Sequence, residues 1–222
     1  MERVQGRPLQ SARSEQILIE LIDRYPVLIP CMYGVGEAVR VIAGAFAAGG
    51  KLLLCGNGGS AADAEHIAGE LLKGFRHKRP LPGPLRDMFT ACGDQGLASR
   101  LQGALPAIAL SGASPLATAI ANDLGAELCF AQQVLGYGRP GDAFLGLSTS
   151  GNARNVVAAA RVSRALGLRT ICLTGQDGGV LAPMVEVAIK VPAAETYLVQ
   201  ELHLPVYHAI CAAVEEEMFG EQ

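Results

Sequence analysis

Leu52-Leu53-Leu54-Cys55-Gly56-Asn57-Gly58-Gly59-Ser60-Ala61-Ala62-Asp63-Ala64-Glu65-His66-Ile67-Ala68-Gly69-Glu70 holds an apolar run, a glycine turn and a helix start in one stretch. Small residues open that helix. Free backbone N–H groups at such a start cradle an anion, and glycines let a ligand come close. His66 and Glu70 then follow at i and i+4, so both side chains lie on one helix face. An anion cradle and a base or metal pair therefore share one segment. The segment reads as a strand that feeds a helix through a glycine turn.

Working outward, similar apolar runs recur at 105–110, 143–148 and 170–174, each ending at or just before a Ser or Thr, and 185–191 reads as a fifth strand. Strands alternating with helical patterns predict βαβ units and a parallel sheet, with ligands outside the carboxyl ends of the strands. The polar strand ends are Gly56-Asn57-Gly58-Gly59-Ser60, Ser111-Gly112, Ser148-Thr149-Ser150-Gly151-Asn152 and Thr174-Gly175, and they are expected to converge on one rim. Upstream, helical spacing covers 14–24 (Ile17, Leu18, Leu21, Ile22) until Pro26 and Pro30 break it. A second helix is expected over 31–48, closed by Gly49-Gly50. Helices are also expected over 152–166 and 196–218. Residues 76–104, with Pro80, Pro82 and Pro84 and a short helical piece near 95–101, read as an insertion or lid. The expected organisation is N-terminal helices in 1–50, packing on the core and in oligomerisation, and an α/β domain in 51–222.

The chain has 222 residues, half of them hydrophobic and 18% charged, so one large α/β domain with a sizeable core is expected. A net charge of −3 without a basic run argues against nucleic acid. No apolar run approaches the roughly 20 residues of a membrane span, and the start lacks the apolar core of a secretory signal. The six cysteines are dispersed, with no CxxC pair, and read as reduced. A cytoplasmic location is therefore expected.

The glycine turn is neither a dinucleotide fingerprint nor a P-loop, and alone it is compatible with simple turn closure. Ser148-Thr149-Ser150 offers more hydroxyls than an N-cap needs, which favours phosphate binding. An isolated His66/Glu70 pair would read as a surface contact, but its place after an anion loop favours chemistry. Gln200 and His208 share the last helix, about 12 Å apart along a regular one. Pro205 between them is able to supply an irregularity.

Taken together, 55–66, Ala119-Ile120-Ala121-Asn122-Asp123, Gly138-Arg139-Pro140-Gly141-Asp142, 148–152, Leu173-Thr174-Gly175-Gln176-Asp177-Gly178-Gly179 and Gln200-Glu201-Leu202-His203 with His208 resemble the sugar isomerase (SIS) domain. They are most similar to the sedoheptulose-7-phosphate isomerase (phosphoheptose isomerase) family. The resemblance implies a three-layer α/β/α sandwich with a five-stranded parallel sheet, assembled as a homotetramer with active sites at subunit interfaces. It implies sugar-phosphate binding by Asn57, Gly58, Gly59, Ser60, Glu70, Asn122, Asp123, Ser148, Thr149, Ser150 and Gln200, and catalysis by Glu70 and His208. It also implies one zinc ion per subunit held by His66, Glu70, Gln200 and His208. Such a site would interconvert an aldose and a ketose through an enediol, which needs a base at carbon and an acid at oxygen.

The chain departs from the family pattern in four places. Ala153 stands where serine is usual, Tyr197-Leu198-Val199 precede Gln200 where arginine is common, Pro205 lies in the helix, and the segment from about Leu81 to Ala104 is extra. Three alternatives stay open: an isomerase of a different sugar phosphate, a sugar-phosphate-sensing domain, and a non-catalytic tetrameric adaptor like the relative that binds the initiator protein DnaA. That adaptor carries asparagine in place of His208, so His208 favours an enzyme.

Overall fold

The apolar runs over 52–55 and 143–147 are buried on both faces, as inner strands of a helix-covered parallel sheet must be. The computed structural model describes residue 9, residues 11–110 and residues 114–220, so the Ser111-Gly112 strand end lies outside the described residues. The strands are β1 Leu52–Cys55, β2 Ala107–Ala109, β3 Ala143–Leu147, β4 Arg169–Thr174 and β5 Val187–Lys190. All pair in parallel, in the order β2-β1-β3-β4-β5. The helices are α1 Ala12–Arg24, α2 Met32–Ala47, α3 Gly59–Leu72, α4 Gly83–Ala91, α5 Gln95–Arg100, α6 Ser114–Asp123, α7 Cys129–Tyr137, α8 Arg154–Ala165 and α9 Thr196–Phe219.

Alternation along the strands divides the core in two. Leu52, Leu54, Leu145, Leu147, Ile171 and Leu173 face one layer, with α1, α2, α3 and α9. Leu53, Cys55, Phe144 and Cys172 face the other, with α7 and α8. The result is an α/β/α sandwich. Strand order reverses direction at β1, so the loops after β1 and β3 part and leave a crevice at the carboxyl edge. At the opposite edge buried Asp142 accepts from Lys51 Nζ (2.6 Å), Lys51 N (3.0 Å) and Arg139 N (2.8 Å), joining the starts of β1 and β3.

The N-terminal helices share the main core with the sheet. Ser11 caps α1 by accepting from Arg13 N at 3.1 Å, and Ile17 and Leu21 point inward. A 3-10 turn, Pro26–Cys31, leads into α2. Together they form 22 helical residues whose most apolar stretch has a mean hydropathy of 1.4. The length exceeds what the apolar runs in the sequence predict, because the 3-10 turn continues through Pro30. Val35, Val39 and Ile42 on it belong to the core. Helix α9 runs continuously through Pro205, which is buried, so the proline that could have supplied an irregularity does not end the helix between Gln200 and His208.

Residues 76–104 split into an anchored start and an exposed hairpin. Arg79 and Glu215 are wholly buried and bonded, Arg79 Nε to Glu215 Oε1 at 2.7 Å. Glu215 also accepts from Phe75 N (2.9 Å), Arg76 N (2.7 Å) and His77 N (3.2 Å), and Arg79 Nη1 donates to Leu71 O (2.7 Å). Helix α4, by contrast, contributes no buried side chain.

His203 is wholly buried on α9. Burial pushes its imidazole down to about 4. The Thr174 main chain opposes that shift only in part, and neither ring nitrogen finds a hydrogen-bond partner.

Two stability measurements check this reading. Glu215→Gln leaves the Arg79 charge buried without its partner and should cost about 3–5 kcal/mol in denaturant unfolding; a loss under 1 kcal/mol would remove the pair from its anchoring role. Unfolded, His203 takes a proton near its ordinary 6.5; folded, only near 4. Acid therefore favours the unfolded chain, and the His203 contribution is lost as pH falls from about 6.5 to about 4. His203→Leu should flatten the stability profile across that window, and an unchanged slope there would contradict it.

Candidate active site

The loops after β1 and β3 stand side by side at the carboxyl edge of the sheet, and the polar strand ends gather there. Gly58, just before α3, adopts φ +56° and ψ −122°, a conformation that glycine takes without strain. The next residues start the helix, with Ser60 N donating to Asn57 O at 3.1 Å and the Ser60 side chain buried. Asn57 and Asn155 exchange side-chain hydrogen bonds of 2.9 and 2.8 Å, tying the β1 turn to the start of α8. Gln200 on α9 lies against the turn: a Cβ on Gly59 would stand 2.6 Å from Gln200 Nε2.

The β3 loop is held from both sides. Ser148 is buried and Ser150 exposed. Ser150 Oγ accepts from Asn152 N (3.1 Å), Asn152 Oδ1 accepts from Val180 N (3.1 Å), and Thr149 O accepts from Gly175 N (2.9 Å). Gly151 sits at φ +66° against the 178–179 turn. Hydroxyls of the β3 loop and the start of α3 thus border the same crevice, a setting suited to phosphate oxygens.

Further along α3 the titratable groups cluster. His66 Nε2 stands 3.1 Å from Glu70 Oε1 and 3.5 Å from His208 Nε2. Lys73 Nζ donates to Glu70 Oε2 at 2.9 Å. Burial raises Glu70, but Lys73 and His66 outweigh it and hold the carboxyl below its ordinary value. His208 is lowered, first by burial and then by His66 and Arg24, against the pull of Glu70. At neutral pH the cluster therefore offers an ionised carboxylate beside a neutral imidazole. Phe75 packs by His208, ring centroids 5.8 Å apart. A groove of about 630 Å³ reaches His208 from outside, lined by Glu20, Asp23 and Arg24 of α1, and by Phe75 and Arg76.

Asn57, Gly58, Gly59, Ser60 and Gln200 meet at the crevice, and His66, Glu70 and His208 meet further along α3. Among the described residues, Asn122 and Asp123 hydrogen-bond with neither group. They are exposed at the end of α6, and Asn122 Nδ2 donates to Asp123 Oδ1 at 2.8 Å. Among the described residues no group of three or more His, Cys, Asp or Glu forms a ready metal site.

Residues without a signal in the sequence complete the site. Tyr207 OH lies 3.2 Å from Asp63 Oδ1 and 3.1 Å from His66 Nδ1. Burial and the nearby Asp63 raise Tyr207, so its hydroxyl stays protonated. Asp63 precedes His66 by one helical turn, a spacing visible in the sequence, but nothing there links it to Tyr207. Asn155 and Lys73 were likewise unmarked.

The SIS domain profile matches residues 32–91 and 82–175 of the chain. A protein of Akkermansia muciniphila named phosphoheptose isomerase is 36% identical over 203 residues, 91% of this chain and 95% of that one. One of a Roseiflexus species, with the same name, is 43% identical over 187 residues, 84% and 83% of the two chains. The solved structure of phosphoheptose isomerase GmhA from Neisseria gonorrhoeae aligns with a TM-score of 0.69 at 32% identity, covering 92% of this chain and 94% of that one.

A substitution in the β3 loop tests the crevice. A Cβ on Gly151 would fall 2.1 Å from Gly178 O, at a φ that side chains rarely adopt. Gly151→Ala should lower stability by about 1–3 kcal/mol and weaken inorganic phosphate binding in the same protein. Unchanged melting and phosphate affinity would show that this loop neither needs its glycine nor holds the anion.

Proposed function

The chain belongs to the phosphoheptose isomerases of the SIS-domain family, and on that footing we propose that its crevice converts sedoheptulose 7-phosphate to D-glycero-D-manno-heptose 7-phosphate. The observation that carries the reading is the order of sites along α3. The anion cradle opens the helix at Ser60, and His66 and Glu70 follow about 9–15 Å further along its axis. A long phosphorylated sugar laid along that face has its phosphate among Asn57, Gly58, Gly59, Ser60, Ser148, Thr149 and Ser150. Its carbonyl end then reaches Glu70 and His208.

Glu70, ionised, takes a proton from C1 of the ketose and returns it to C2 of the enediol. His208, neutral, donates its ring proton to the C2 oxygen and takes one back from the C1 hydroxyl. No atom is gained or lost. A neutral imidazole is a competent hydrogen-bond donor for such an oxygen, since it gives up its proton only as charge develops. Gln200, against the turn, orients the chain between the two ends. Asn122 and Asp123, exposed at the end of α6, would add contacts to the sugar.

The reading extends to a metal and to assembly. The distances from His66 Nε2 to Glu70 Oε1 and His208 Nε2, 3.1 and 3.5 Å, bracket the roughly 3.3 Å that separates neighbouring ligands around tetrahedral zinc with bonds near 2.05 Å. His66, Glu70 and His208 would hold zinc, which would supply Lewis-acid polarisation of the sugar carbonyl; Gln200, expected as a fourth ligand, lies against the glycine turn instead. Exposed Tyr25, Val27, Ile29 and Tyr33 offer an apolar face for a homotetramer. Six free cysteines fit a cytoplasmic protein.

Glu70→Gln keeps the shape of the base and removes its basicity. Turnover of sedoheptulose 7-phosphate should fall by about 10² or more, with phosphate-ligand affinity little changed, and near-normal turnover would exclude Glu70 as the base. Metal analysis of protein purified without chelator should find one zinc per chain, absent from His66→Ala and His208→Ala. A wild type that turns over substrate but binds no added zinc would overturn the metal assignment alone.

A further inference from the structure

Tyr207 is buried on α9, one residue before His208, with its phenol oxygen between two groups of α3. Asp63 Oδ1 is 3.2 Å away and His66 Nδ1 3.1 Å away. A phenol has one hydrogen to give, whereas a carboxylate can only accept. The other Asp63 oxygen, Oδ2, is buried with no hydrogen-bond partner. Were the phenol hydrogen turned to His66, Asp63 would face the phenol lone pairs with neither oxygen satisfied. A hydrogen bond to a charged acceptor is roughly twice as strong as a neutral one, so the hydrogen belongs to Asp63. The phenol oxygen is then left as an acceptor, and the imidazole must donate to it.

We propose that Asp63 and Tyr207 act together as positioning residues that fix His66 in the tautomer protonated on Nδ1, turning the lone pair of Nε2 into the active site. The consequence follows from the distances. Nε2 faces the Glu70 carboxylate oxygen at 3.1 Å and the His208 Nε2 at 3.5 Å. Two acceptors face each other across 3.1 Å, an arrangement that a shared cation, proton or metal, satisfies. The relay thus presets the side of His66 from which a cation is held, before any ligand arrives. Outer hydrogen bonds of this kind set the orientation and basicity of metal-binding histidines. Tyr207 also packs edge-on to both imidazoles, with ring centroids 5.5 Å from His66 and 5.0 Å from His208, so one residue orients the pair.

The value of this arrangement for turnover rests on the isomerase reading; the tautomer does not. Side-chain nitrogen NMR of 15N-histidine-labelled protein, stripped of metal and held at a pH where imidazoles are neutral, reads it directly, with His66→Gln assigning the signal. In the wild type His66 should be protonated on Nδ1. In Tyr207→Phe, which keeps the ring but loses the hydroxyl, the Nδ1-protonated form should fall below half of the population. Asp63→Asn should give the same result, and it serves as the second variant if Tyr207→Phe does not fold. A wild-type proton on Nε2, or an unaltered His66 in the folded variants, overturns the proposal. Failure of the isomerase reading would appear separately, as absent turnover in a protein whose His66 still carries its proton on Nδ1.

Discussion

The buried Arg79–Glu215 pair is the constraint on which the site depends. Two wholly buried charges are tolerated only when bonded, and here Glu215 also accepts three successive main-chain N–H groups, from Phe75 to His77. Arg79 in turn holds the last turn of α3 through Leu71 O. The end of α3 and the last turns of α9 are therefore fixed to each other. Glu70 lies just before that clamp, Phe75 within it, and His208 two turns upstream of Glu215. Because the anchor is electrostatic and directional, it sets how the catalytic helices register against each other, which apolar packing alone would leave adjustable.

A second constraint is topological. The reversal of strand order at β1 opens a crevice that any ligand can enter. The Asn57–Asn155 exchange keeps it from spreading, since each amide donates to the other and neither loop can leave alone. The site is thus framed at one end by paired amides between two loops and at the other by a buried ion pair between two helices. Between the frames, α3 carries the groups that act, and Gln200 and His208 face it from α9.

How much of this was legible can be followed element by element. β1 and β3 fall within the apolar runs, and β4 starts only one residue before its run, because strands buried on both faces leave a continuous apolar trace. The edge strand β2 is three residues shorter than its run, as only one neighbour defines its ends. The polar cradle and the His66, Glu70 and His208 cluster could be named in advance because α3 displays local spacing and the family resemblance supplied the partner on α9. Asp63–Tyr207 and Arg79–Glu215 could not, since their members are 144 and 136 residues apart and each alone reads as an ordinary polar residue. Asn122 and Asp123 show the opposite case: the family pattern names them, yet the single chain leaves them on an exposed helix end. Pro205, which the sequence marks as able to disturb α9, is accommodated within it.

The hairpin of α4 and α5 enters and leaves the body at almost one point. Pro80 bridges Gln102, Gly103 N donates to Arg79 O at 2.7 Å, and the Gln102 side chain accepts from Gly74 N at 2.9 Å. Those bonds close the loop at its neck, on the same residues that the buried ion pair secures. Whatever lies beyond the neck is mechanically decoupled from the chemistry. Doubling the length of such a loop costs only about 0.6 kcal/mol in closure entropy. The neck is therefore a port at which the chain can acquire, exchange or shed a peripheral module while the catalytic frame keeps its shape.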